Sequence, residues 1–349
     1  IVAFFTVLLV FGTKIGARVD GAMTVLKIAI VVFVVIVGFF YVKASNFTPF
    51  IPPSQPAAAT TGDGAVSAQM AQPLWQWATG MTPSIYGVPG ILSGAALVFF
   101  AFLGFDVVAT ASEETKNPHK NVPLGIGVGM LLIIVMYMLV AIVTTGMVSY
   151  KDLAKQDSPS LATAFELVGA DWAAKIISFG IVLGLATVIM VLLLGLTRIV
   201  FAMSRDGLLP RGLSKTGKHG TPAVLQIVVG VVVALVAALF DIGVLSDMVN
   251  IGTLSAFTLV AISIPIMRKK RPELPRAFRM PGNPWVPILI ALANSWLMLN
   301  LSVLTWIRFL VWLVIGFAIY FSYGYWHARL GKGDLSETLS DETDRAVNG

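Results

Sequence analysis

Apolar residues in this chain come in long unbroken runs, not in the alternating pattern of a half-buried strand or the stripe of a helix on a soluble core. Runs long enough to cross a bilayer extend over Gly21 to Val42, Gly90 to Ser112, Pro123 to Val148, Trp172 to Met203, Pro222 to Phe240, Asp247 to Met267, Trp285 to Ser302 and Leu304 to Trp326. One crossing takes about 20 apolar residues, so the pattern predicts eight complete spans, preceded by an apolar remnant, Ile1 to Phe11, too short to span. The turn between the last two spans is predicted within Val303 to Arg308. Ala44 to Pro89 is the one long connection, rich in Pro, Ala, Thr, Gly and Gln with a single formal charge at Asp63. It is expected outside the bilayer and irregular, with a short helix near Leu74 to Thr79. After Gly331 the chain carries Asp334, Glu337, Asp341, Glu342 and Asp344 with little apolar character, and disorder is expected there.

Composition sharpens this picture. With 349 residues, 57% hydrophobic and only 12% charged, and a mean hydropathy of +0.86, the chain cannot cover a globule with polar surface, which excludes a soluble enzyme. Cysteine is absent, which removes disulfides, thiolate metal sites and cysteine nucleophiles. The net charge of +6 has a topological reading. Lys and Arg are retained on the cytoplasmic side of membranes, and counting alternate sides of the spans puts 18 basic residues on one face and five on the other. That split places Ala44 to Pro89 outside and the tail in the cytoplasm, and it accounts for the positive charge without nucleic acid. The chain opens inside an apolar run with no Met, and a missing start is expected.

Two polar residues inside spans need a chemical explanation. Lys27, in Thr24-Val-Leu-Lys, lies about two turns into an apolar run. An ammonium there must face a wet cavity, pair with a carboxylate, give up its proton or snorkel to the boundary. A low-dielectric setting disfavours the charged form of a lysine, which is how such a group can exchange protons in the working pH range. The second is Asp106, in Phe99-Phe-Ala-Phe-Leu-Gly-Phe-Asp, mid-span and two residues after Gly104. Glycine weakens a helix by roughly 1 kcal/mol relative to alanine. Either the helix breaks here to line a midplane site, or it continues, with Gly104 allowing close packing and Asp106 bonded to a neighbour.

Other candidates carry less. Gly125-Ile-Gly-Val-Gly129 imitates part of a dinucleotide fingerprint but sits in a span with no preceding strand, so small-residue packing is expected. His119, His219 and His327 are scattered and suggest no metal cluster; Asn46-Phe-Thr48 fits a glycosylation sequon; Met190 reads as lipid-facing or packing. No set of nucleophile, base and oxyanion donors assembles, so no catalytic residue, enzyme activity or cofactor is expected.

Together these strings resemble the amino acid, polyamine and organocation (APC) transporter superfamily, and within it the cationic amino acid transporters. The resemblance is carried by Leu97-Val-Phe-Phe-Ala-Phe-Leu-Gly-Phe-Asp106 running into Glu113-Glu-Thr-Lys-Asn-Pro118 and Pro123-Leu-Gly-Ile. It is carried also by Thr197-Arg-Ile-Val-Phe-Ala-Met-Ser-Arg-Asp-Gly-Leu-Leu-Pro210, with Thr24-Val-Leu-Lys27 and Asn46-Phe-Thr-Pro-Phe50 added. It implies an all-α polytopic bundle of the LeuT-like kind, two inverted repeats of five helices followed by two more. In that register 1–42 holds the end of the family's helix 4 and helix 5, 43–89 the outer loop, 90–267 the second repeat, 268–331 a basic loop and helices 11 and 12, and 332–349 the tail. The first repeat is then incomplete, and the missing N-terminal helices are needed to complete the site. One string departs from the pattern: where many members carry a polar residue in the helix 8 Gly-Gln-Thr/Pro-Arg motif, this chain has Gly195-Leu-Thr-Arg198.

Carried over residue by residue, Phe100 resembles the aromatic gate over the substrate. Freed carbonyls around Phe100, Ala101 and Leu103, at the break made by Gly104, resemble the acceptors for the substrate's ammonium group. Asp106 resembles the polar position near the side-chain end, Met190 a pocket residue, and Lys27 the lysine that replaces sodium in proton-coupled members. The resemblance implies a multi-pass protein of the plasma membrane that takes amino acids, most often cationic, up with protons by alternating access. Exchange or facilitated transport of amino acids or polyamines, or a chain with no transport of its own, are the alternatives.

Overall fold

The computed structural model describes residues 2–10, 13–56, 69–81, 84–105, 108, 115–156, 159–214, 222–273, 280 and 282–328. It is built of helices: α1 (Val2–Val10), α2 (Thr13–Phe39), α3 (Leu74–Thr79), α4 (Gly87–Val98), α5 (Pro118–Met147), α6 (Tyr150–Ala154), α7 (Leu161–Leu167), α8 (Asp171–Arg205), α9 (Ala223–Leu239), α10 (Ile242–Lys270), α11 (Trp285–Leu299) and α12 (Val303–Ile319). A π turn, Tyr320–Gly324, carries α12 on to His327. The strands β1 (Gln55–Pro56) and β2 (Ser84–Ile85) form a two-residue antiparallel ladder, with Gln55 opposite Ile85.

Five segments among the described residues are long and apolar enough to cross a membrane: Gly21–Phe39, Lys120–Met147, Asp171–Arg205, Ile242–Lys270 and Val303–His327. Gly87–Phe102, Ala223–Leu239 and Trp285–Leu299 are shorter apolar helices at three of the other predicted positions. Large apolar side chains such as Leu131, Leu185, Leu235 and Val314 point outward. An outward surface of this kind is stable against lipid and not against water.

The boundaries differ from expectation where local chemistry intervenes. α5 begins at Pro118, five residues before the predicted start, because proline is tolerated in the first helical turn and Pro123 removes only one backbone bond near that end. The last turn lies before Val303, not within Val303 to Arg308. Ser302 Oγ accepts the Thr305 amide at 3.2 Å, capping α12 at its start. In the same way Ser149 and Ser160 cap α6 and α7, short helices that the apolar runs did not signal.

Two compact units are present. One comprises Ile1–Ala22, Leu185–Leu239 and Leu310–Gly349; its core gathers Leu9, Met190, Leu193, Leu225 and Val229. The other comprises Met23–Gly184 and Phe240–Phe309, with two cores. Val34, Val143, Met147, Phe165 and Ile177 fill the first, joining α2, α5, α7 and α8. Ala96, Ile251, Leu254, Met298 and Leu301 fill the second, joining α4, α10 and α11.

Within this second unit, the segments that alternate-side counting assigns to one face meet each other. The Lys43 amide and Asn46 Nδ2 both donate to the Gly146 carbonyl, at 2.9 and 2.8 Å, tying the loop after α2 to the end of α5. The sequon nitrogen of Asn46 is thus engaged. Leu74 N–H donates to Leu301 O and Val303 N–H to Gln72 O, so the segment entering α3 straps across the α11–α12 turn. Trp75 Nε1 donates to Asn300 Oδ1 at 3.0 Å and its ring stacks on Trp296.

Candidate functional site

The helix begun at Gly87 does not continue through the apolar run that encodes it. After Val98 it tightens into a single 3-10 turn, Phe99–Phe102, and then Leu103 is extended with ψ 147°. Gly104 follows at φ +111°. Among the described residues, its chain neighbours aside, no heavy atom lies within 4 Å of where a Cβ would stand on Gly104. The glycine is therefore required by backbone conformation, not by crowding, since an L side chain is strained at that angle. The interruption falls on the Leu-Gly-Phe step. Asp106 lies outside the described residues.

Breaking a helix in a bilayer leaves carbonyls that must find donors. Here they are met from two other helices. Tyr137, on α5, donates its hydroxyl to the Ala101 carbonyl at 2.8 Å, and its ring packs edge-on against Phe102, centroids 5.1 Å apart. Asn250, on α10, donates Nδ2 to the carbonyls of Ala96 at 3.2 Å and Leu97 at 3.5 Å. The Phe100 carbonyl takes the Leu103 amide at 3.2 Å, within the turn itself. Phe100, Ala101, Leu103 and Gly104 are thus contiguous at one interruption, and the Phe100 ring is 42% exposed. Phe257 of α10 meets Phe99 and Phe105 on either side of it.

Tyr137 and Asn250 were missed by reasoning from motifs. Each is a polar side chain in the middle of a run that otherwise reads as hydrocarbon, and that was the available signal.

Lys27 is half-buried on α2, with its stem against α8. A Cβ on Gly184 would stand 4.0 Å from Lys27 Cγ, and one on Gly180 would overlap Ile30 Cδ1. Two glycines four residues apart on α8 therefore receive two side chains three residues apart on α2, the small-residue packing by which helices approach closely in lipid. Among the described residues Lys27 forms no ion pair with a carboxylate.

Met190 belongs to the other unit, where it is 4% exposed and packs in the core with Leu9, Leu193, Leu225 and Val229. Of the two sequence readings from the residue alone, packing describes it and lipid-facing does not. Gly125, Gly127 and Gly129 have open space where a Cβ would stand, so the expected small-residue packing is not found against the described residues. Among these residues no three His, Asp or Glu side chains group as metal ligands. His327 stacks on Tyr323 at 4.2 Å instead.

The family model for amino acid permeases matches residues 1–326. Among curated proteins the chain is 41% identical to the branched-chain amino acid permease BcaP of Bacillus subtilis (strain 168), across 95% of this chain and 64% of that protein. It is 38% identical to the methylthioribose transporter of the same organism, across 95% of this chain and 65% of the relative. It is 27% identical to the vacuolar cationic amino acid transporter 4 of Arabidopsis thaliana, across 97% of this chain and 71% of the relative. The chain thus spans a little under two thirds of the length of the first two. With a helix interrupted at the Leu-Gly-Phe step and a family match over nearly its whole length, the chain belongs to the amino acid permease family of the APC superfamily.

Proposed function

We propose that this chain is the larger part of a proton-coupled amino acid symporter that works by alternating access in the plasma membrane, with its tail in the cytoplasm. The observation that carries this reading is the interruption after Phe102 in an amino acid permease. Carbonyls left at a broken helix present partial negative charge without titrating, which suits a substrate ammonium group. In this reading Ala101, Phe100 and Leu103 offer those carbonyls, Gly104 makes the break and Phe100 covers the substrate, while the role of Asp106 toward the substrate side chain is what the resemblance implies. The LeuT-like arrangement, with 90–267 as the second inverted repeat, is part of the same proposal.

Lys27 is the proposed coupling group. It is a basic residue within a predicted span, its stem beside Gly184 of α8, with no carboxylate partner among the described residues. A lysine that is charged in one half of the cycle and neutral in the other would tie substrate movement to a proton.

A cationic amino acid is the substrate class that the resemblance to cationic amino acid transporters implies, though no single residue dictates it. A second reading, a branched-chain neutral amino acid, is favoured by the 41% identical relative, a branched-chain amino acid permease. Competition decides between them: in proteoliposomes carrying the protein, uptake of labelled arginine blocked by ornithine but not leucine supports the cationic reading. Uptake of labelled leucine blocked by valine and isoleucine but not by arginine supports the other. Methylthioribose uptake with no amino acid uptake would overturn both.

A further inference from the structure

We propose that Asn250 is a positioning residue for transport, fixing where the interrupted helix ends and hence where its substrate-facing carbonyls stand. The inference rests on the transport reading above but names a residue and a role that reading does not contain.

In α4 each amide reaches back four residues, as Phe99 N–H does to Ala95 O. In the turn that follows, it reaches back three, as Leu103 N–H does to Phe100 O. Where the step changes from four to three, a carbonyl is passed over by the helix's own amides. Ala96 lies at that changeover, and its carbonyl receives Asn250 Nδ2 at 3.2 Å. The second contact, to Leu97 O at 3.5 Å, is at the outer limit of a hydrogen bond. Ala96 and Asn250 are each 0% exposed, so water cannot take over the role.

The side-chain orientation is dictated by this pairing. Only the NH2 group can face two carbonyls, which leaves Oδ1 turned away, and Oδ1 is buried with no hydrogen-bond partner among the described residues. A buried amide with an unsatisfied oxygen is a poor choice for stability alone, since an unpaired buried polar group costs roughly 1–3 kcal/mol. Leucine would fill the same volume without that cost. The amide is explained by what its donors hold, the end of α4, four residues before Phe100. Asn250 also stands apart from the Tyr137 contact. Tyr137 meets the Ala101 carbonyl from a surface-facing helix, 41% exposed, and can move away; Asn250 is enclosed and holds the end of the helix still.

Two variants of the full-length protein test this. Asn250→Leu and Asn250→Met each remove donors and acceptor together while keeping an apolar side chain close to the original in volume. Amide hydrogen exchange in reconstituted protein is expected to accelerate about fivefold or more over Phe99–Leu103 in both, the factor for losing one ordinary hydrogen bond. Exchange in α8 should stay unchanged. The KM for amino acid uptake should rise by a similar factor while the maximal rate stays within twofold. Unchanged exchange over Phe99–Leu103, or acceleration through α8 as well in both variants, would overturn the positioning role. A wild-type protein that takes up no amino acid would sink the transport reading and leave the exchange result to decide the role of Asn250.

Discussion

The Tyr137 hydroxyl and the Ala101 carbonyl, 36 residues apart in sequence, share a 2.8 Å hydrogen bond at the interruption of α4. The carbonyl proposed to receive a substrate ammonium is thus already occupied, by a neutral donor from a neighbouring helix. The oxygen has a second lone pair, but a substrate ammonium approaching it competes with the phenol for the same partial charge. An ordinary hydrogen bond contributes about 1 kcal/mol net, so Tyr137→Phe is expected to lower the KM for amino acid uptake about fivefold. A raised KM would mean that Tyr137 supports the bound substrate and does not compete with it.

Gly104 supplies a second prediction. Its φ of +111° is open to glycine and strained for any L residue. Because none of the described residues beyond its chain neighbours crowds the position, Gly104→Ala tests conformation. Strain of this sort costs about 1–3 kcal/mol, and the variant is expected to lose most uptake and to melt several degrees lower in detergent. Wild-type uptake with an unchanged melting temperature would show that the break does not need this backbone angle.

The seam between α2 and α8 can be tested by compensation. A Cβ on Gly180 would overlap Ile30 Cδ1 and stand 3.0 Å from Ile30 Cγ2. Overpacking of this kind costs about 1–3 kcal/mol, so Gly180→Ala should destabilise the protein by an amount in that range. Removing the offending methyl with Ile30→Val should restore part of it, giving a coupling of at least about 0.5 kcal/mol in a double-mutant cycle. Additive effects of the two substitutions in thermal unfolding would contradict the contact.

Much of this architecture was legible from the hydrophobic runs, because a bilayer demands length and apolarity and little else. The starts and ends of α8, α9 and α11 fall within three residues of the predicted runs, and α3 sits on Leu74–Thr79 as expected. Turn chemistry moved the α11–α12 boundary, since Ser302 caps α12 and no apolar run records a cap. The break in α4 could be suspected from Gly104. Its partners could not, because Tyr137 and Asn250 reach the site from 36 and 154 residues away and fit no local motif. Lys27 stood out as a cation in a span, but its seat against Gly184 required the structure. In the same way, Met190 could be assigned to packing only once its neighbours were known.

The most direct test of the coupling claim compares two modes of transport in the same proteoliposomes. With an inwardly directed proton gradient and no internal substrate, the wild type should accumulate labelled amino acid above the external concentration, and Lys27→Ala should not. With unlabelled substrate inside and no gradient, both should exchange label at rates within about an order of magnitude. Accumulation that survives in Lys27→Ala would contradict the account and reduce Lys27 to a structural cation.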